Sequence, residues 1–118
     1  MIYRTLFKAI QNRFFKGKAI ILLGPRQVGK TTLIQELLKE QEHLFLNGDD
    51  PAIREMLDGA STVKLKSIIG NHKIVFIDEA QRIANIGITL KLITDQFKGV
   101  QLLVSGSSSL RVSWTASR

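Results

Sequence analysis

Ala19-Ile-Ile-Leu-Leu-Gly24-Pro25-Arg26-Gln27-Val28-Gly29-Lys30-Thr31-Thr32 is the stretch that decides how this chain is read. Gly24 to Thr31 matches the pattern G-x-x-x-x-G-K-[ST] at every defined position. Apolar residues 19–23 lead into it as a buried strand would, and Thr32-Leu-Ile-Gln-Glu-Leu-Leu-Lys-Glu leaves it as a helix. Glycines let the backbone curl so that successive N–H groups face a phosphate, and the new helix adds its positive end. Lys30 can reach the β- and γ-phosphates, and the Thr31 hydroxyl can ligand Mg²⁺. An ordinary glycine turn between strand and helix is the bland alternative, and the full match in the required context speaks against it. Gly24, Pro25, Arg26, Gln27, Val28, Gly29, Lys30, Thr31 and Thr32 are therefore the expected site for a nucleoside triphosphate.

The second informative stretch is Lys73-Ile-Val-Phe-Ile-Asp78-Glu79. Apolar residues running into two acids describe a buried parallel strand that delivers carboxylates at its C-terminal end, where open α/β sheets bind ligands. Asp78 is placed to hold Mg²⁺, usually through water. Glu79 is placed to orient and polarise an attacking water. Taken alone, such a pattern also fits a strand that simply ends in a polar loop. Downstream of a phosphate-binding loop, the Asp-Glu pair favours hydrolysis.

Between and around these stretches the chain alternates strand and helix signals. Residues 2–16 place Ile2, Leu6, Phe7, Ile10 and Phe14 near a helical repeat, with Gly17 as a stop. This predicts an amphipathic helix packed beside the nucleotide site; a membrane-surface or partner-binding helix is the alternative. A helix from about Lys30 to Gln41 and a strand at 43–47 follow. Asp50 can cap a helix begun by Pro51 and ending near Gly59, and Ser61 starts another that Gly70 terminates. Residues 80–98 read as a loop and a helix with Ile88, Leu92, Ile93 and Phe97 inward. A strand at 100–104 then ends in Ser105-Gly106-Ser107-Ser108-Ser109. That run reads either as a flexible turn or as a source of a polar contact to the γ-phosphate or the attacking water. His43 and His72 read as surface residues.

Composition narrows the rest. The chain has 118 residues, 44% of them hydrophobic, no cysteine and a formal charge of +7. Disulfides and thiolate zinc sites are excluded, and no apolar run has the length of a membrane span. A cytoplasmic location is the default expectation. Arg4, Lys8, Arg13, Lys16 and Lys18 follow one another with no acid between them, so DNA or RNA is a candidate partner. No [NT]-K-x-D guanine-reading motif occurs, which leans towards ATP.

Arg26-Gln27 within the loop, Leu-Asn-Gly-Asp-Asp-Pro at 46–51, Asp78-Glu79-Ala80-Gln81 and Ser105-Gly106-Ser107-Ser108 together resemble the prokaryotic AAA-superfamily ATPases. In that family an N-terminal ATPase domain is commonly joined to a C-terminal domain of unknown or nuclease-like character. The resemblance implies ATP and Mg²⁺ as cofactors and a sheet of order 5-1-4-3-2. It also implies nucleotide and Mg²⁺ contacts from Gly24, Gly29, Lys30, Thr31 and Thr32, Mg²⁺ and hydrolysis roles for Asp78 and Glu79, and a sensor role for Ser107. Leu110–Arg118 does not look like the family's continuation, so a truncated or altered end is expected, without fifth strand or lid. Arg54, Arg82 and Arg111 lie outside these motifs, and sequence assigns none of them as an arginine finger.

The expected fold is thus α/β: a P-loop core with a parallel sheet of about four strands and helices on both faces. Residues 1–18 form its N-terminal helix, 19–109 the ATPase core and 110–118 an irregular tail. The expected activity is Mg²⁺-dependent ATP hydrolysis, weak for this chain alone. Thr31 and Asp78 would serve the metal; Lys30, Glu79 and Ser107 would serve catalysis. A nucleotide-gated DNA- or protein-interaction module and a small-molecule kinase are the competing readings. An uncovered edge at 19–23 is expected either to drive self-association or to recruit the chain's own tail at 110–118.

Overall fold

The computed structural model describes residues 2–24, 30–107 and 110, leaving aside the side chains of residues 2–4, 6 and 30. Chain order is α1 (Ile2–Gln11), β1 (Ile20–Leu23), α2 (Lys30–Leu38), β2 (Leu44–Asn47), α3 (Pro51–Leu57), α4 (Thr62–Ile69), β3 (Ile74–Asp78), a 3-10 turn (Ala80–Arg82), α5 (Ile86–Gln96) and β4 (Gln101–Gly106). The strands form one wholly parallel sheet in the order β1-β4-β3-β2. This is the 1-4-3-2 portion of the expected order.

All five residues of β3 are buried, because both faces of the sheet are covered. The period of two sorts them. Ile74 and Phe76 point to the face that carries α1 and α2, with Ile10, Leu33, Ile34, Leu37 and Leu38. Val75 and Ile77 point to the other face, with Leu57, Leu65, Ile69, Leu90 and Ile93 of α3 to α5. Burying each such side chain stabilises the fold by about 1.5–3 kcal/mol before entropy is counted.

The local signals explain most boundaries. Asp50 caps α3 by accepting from Ala52 N–H at 2.9 Å, with Pro51 in the first turn, and Ser61 caps α4 by accepting from Lys64 N–H at 3.1 Å. Three expectations need correction. The first helix stops at Gln11 and continues as turns through Phe15, although Phe7 and Phe14 still pack with Ile10. What anchors this exit is Gln101 on β4, which accepts from Phe15 N–H and donates to Lys18 carbonyl at 3.0 Å.

Ile88 is outward, 59% exposed, because the buried stripe of α5 is Ile86, Thr89, Leu90 and Ile93. Thr89 can be buried since its hydroxyl donates to Leu57 carbonyl at 2.7 Å. The third correction is Ser105-Gly106, which is no turn. β4 runs through both, paired with Leu22 and Leu23 of β1. His43 and His72 are half-buried, each with Nδ1 at 2.9 Å from a carbonyl, of Gln41 and Ile69 respectively. Among the described residues no helix is long and apolar enough to cross a membrane.

Candidate nucleotide and magnesium site

The C-terminal ends of β1, β4 and β3 lie side by side, and Gly24, Asp78, Glu79 and Ser107 sit there. Gly24, just past β1, donates its N–H to Gly106 carbonyl at 3.1 Å, which ties the start of the phosphate loop to the end of β4. Pro25, Arg26, Gln27, Val28 and Gly29 lie outside the described residues, as does the Lys30 side chain; Lys30 is the first residue of α2. Thr31 is half-buried in the first turn of α2, and Thr32 beside it is exposed.

Asp78 is the centre of the arrangement. It is 6% exposed, and an ionised carboxylate so buried needs donors. Thr31 Oγ1 lies 2.9 Å from both its oxygens. The Ser105 hydroxyl donates to Oδ1, and the Glu79 N–H donates to the same oxygen at 3.0 Å. Ser105 is wholly buried and was missed from sequence because it read as part of a turn. On β4 it stands in register beside Leu22 of β1, with its hydroxyl reaching across to Asp78.

Glu79 is buried, with its backbone in the left-handed region at φ 54°. The backbone around it is crowded. Gly48, after β2, donates its N–H to Asp78 carbonyl at 2.7 Å, and a Cβ on Gly48 would stand 2.3 Å from Glu79 carbonyl oxygen. Only glycine fits that approach. The Glu79 carboxylate accepts from Gln81 Nε2 at 2.7 Å. Ser107, the expected sensor, is half-buried at the exit of β4 and donates its N–H to Gln81 Oε1 at 2.9 Å.

Arg54 spends its guanidinium on the carbonyls of Gly48 and Asp49, at 3.0 and 2.9 Å, and Arg82 pairs with Asp49 at 3.1 Å. Arg111 lies outside the described residues. Among those residues no cluster of three His, Cys, Asp or Glu could cage a metal ion. The oxygen donors Thr31 Oγ1 and Asp78 converge, however, and such a pair suits Mg²⁺, which takes few protein ligands and fills its shell with phosphate oxygen and water.

A family model for the AAA domain matches residues 16–118. The chain belongs to this AAA domain family. The AAA fold is also what the solved structures support: a chain in the structure of Drosophila ORC bound to DNA superposes with a TM-score of 0.55 at 18% identity, covering 89% of this chain and 75% of that one. Curated relatives include the uncharacterized protein Rv2008c of Mycobacterium tuberculosis and the uncharacterized protein Mb2031c of Mycobacterium bovis. Each is 27% identical over 101 residues. The match takes in 85% of this chain and 22% of each relative, so the chain spans about a fifth of their length. It is an AAA-type P-loop ATPase domain by family and fold, a nucleotide-binding module.

Proposed function

We propose that this AAA domain binds Mg·ATP and hydrolyses it by attack of a water that Glu79 orients. The observation that carries the reading is the convergence of Thr31, Asp78 and Ser105 at the strand ends, next to the loop that matches the phosphate-binding pattern. Bound there, Mg²⁺ would draw on Thr31 and Asp78, and it would neutralise charge that develops on the phosphates. Lys30 would neutralise the β- and γ-phosphates, with N–H groups of Gly24–Thr32 around them. Ser105 holds the Asp78 carboxylate in place, and Gly24 N–H keeps the loop's entrance on β4. Glu79, buried and beside Asp78, would accept a proton from water, and Ser107 at the end of β4 would report on the γ-phosphate.

The test is release of inorganic phosphate from ATP by the purified chain, with Mg²⁺ and without any added acceptor. Phosphate release that stops on Mg²⁺ chelation supports hydrolysis. Turnover only when an alcohol or carboxylate acceptor is supplied would replace it with a kinase. Hydrolysis is expected to be slow for this chain alone, in a cytoplasmic protein.

A second reading rests on charge. No acidic residue precedes Glu36, whereas Arg4, Lys8, Arg13, Lys16 and Lys18 all do. Lys8, Arg13, Lys16 and Lys18 are exposed, and they form no ion pair among the described residues. This basic, acid-free segment suits the phosphate backbone of DNA or RNA, as a nucleotide-gated contact. Fluorescence anisotropy with a labelled duplex, across a salt series with and without ATP, tests it. Binding that survives reversal of Lys8, Arg13, Lys16 and Lys18 to Glu would rule this segment out.

A further inference from the structure

Gln81 reaches two places at once. Its Nε2 donates to Glu79 Oε1 at 2.7 Å, and its Oε1 accepts from Ser107 N–H at 2.9 Å. The partners dictate the amide's orientation, since a carboxylate can only accept and a backbone N–H can only donate. The fold makes room for this bridge at some expense. A Cβ on Gly106 would come within 2.7 Å of Gln81 Oε1, so any side chain there would push the Gln81 amide aside. Glu79 takes up a left-handed backbone, and the 3-10 turn that follows is closed by Arg82 N–H on Glu79 carbonyl and Ile83 N–H on Ala80 carbonyl, both at 3.0 Å. A turn this tight brings residue 81 back alongside residue 79.

Resting on the reading of Glu79 as the residue that orients water, we infer that Gln81 is a positioning residue that fixes the Glu79 carboxylate and ties its placement to the Ser107 end of β4. A glutamate has three side-chain torsions, and a base that must meet one water needs them fixed. Gln81 fixes them by a route that runs through β4 instead of through Glu79's own strand. Any shift of the Ser107 backbone on meeting a phosphate is thereby passed to Glu79 within two hydrogen bonds. Gln81 touches neither nucleotide nor water in this scheme. It acts through Glu79.

The experiment is a double-substitution cycle on the full chain, read by single-turnover phosphate release with protein in excess over Mg·ATP. Gln81→Ala is expected to lower the rate roughly 10–100-fold, the usual effect of losing a supporting hydrogen bond, while ATP affinity stays within about twofold. In a Glu79→Gln background, Gln81→Ala is expected to cost nothing further. An unchanged rate in Gln81→Ala alone, or the same loss in both backgrounds, overturns the inference. Failure of the underlying reading looks different: Glu79→Gln by itself then keeps the full rate. A second measurement needs no turnover. Amide hydrogen exchange at Ser107 is expected to quicken several-fold in Glu79→Ala, with Leu103 in the strand centre unaffected, and the effect should vanish when Gln81 is already Ala. Exchange at Ser107 that ignores Glu79 overturns the tie.

Discussion

Thr31 and Asp78 stand 47 residues apart in the chain, yet the threonine hydroxyl lies 2.9 Å from each oxygen of the aspartate. A hydroxyl has one proton to share between those two oxygens. A divalent cation seated between the side chains would exchange a weak three-centre contact for two strong oxygen contacts. If that is the metal site, Asp78→Asn should raise the Mg²⁺ concentration needed for half-maximal ATP binding roughly tenfold. Calorimetric titration of ATP at several Mg²⁺ concentrations measures this, and an unaltered Mg²⁺ requirement would remove Asp78 from the metal's partners.

Lys30→Ala should weaken ATP binding roughly 10–100-fold or more, because a charge-assisted hydrogen bond to phosphate contributes about 1.5–3 kcal/mol and the cation is lost with it. Full affinity in calorimetry would sink the assignment of the phosphate loop.

Glu79→Gln should bind ATP as the parent does and lose about 10²–10⁴ in hydrolysis rate, since an amide can hold water but cannot take its proton. Equal single-turnover rates would show that Glu79 is not the base.

Gly48→Ala should destabilise the fold by about 1–3 kcal/mol or somewhat more, since the added methyl group meets backbone and not a movable side chain. Urea unfolding measures the loss. The same substitution pushes on Glu79 carbonyl, so hydrolysis should fall in protein that is still folded. An alanine variant as stable as the parent would contradict the close approach of Gly48 to Glu79.

β1 is an outer strand of the four, and Leu23 at its end is half exposed. Ile20-Ile-Leu-Leu23 carries no charge, and Lys18 is the nearest cation on its N-terminal side. Such an edge invites pairing with another chain. Self-association that grows with concentration is expected in light scattering, and Ile21→Lys should abolish it. A parent chain that stays monomeric at high concentration would count against the edge as an interface.

The parts of the fold that could be read from sequence are those where local chemistry and burial agree. Apolar runs gave the strands, Asp50-Pro51 and Ser61 marked helix starts, and Asp78 stood at a strand end because two covered faces demand an unbroken apolar run before it. The misreadings share a cause. Ser105-Gly106 has the composition of a turn, but pairing with Leu22 and Leu23 of β1 overrides a weak strand propensity. The inward face of α5 was misjudged at Ile88 because Thr89, a polar residue, takes the buried position by bonding Leu57 carbonyl. Gln81 stood out in sequence only as part of a motif. Its two hydrogen bonds follow a left-handed Glu79 and lie against Gly106, where a Cβ would crowd the amide, and periodicity can express neither.

That left-handed Glu79 sets stability and turnover against each other at a single position. A non-glycine residue held at φ 54° costs about 1 kcal/mol, less for Asn and least for Gly. Selection for folding alone would therefore drift towards Asn or Gly at residue 79, and a library sorted by heat resistance should collect inactive members there. Selection for ATP turnover should hold the glutamate and recover the lost stability at other positions.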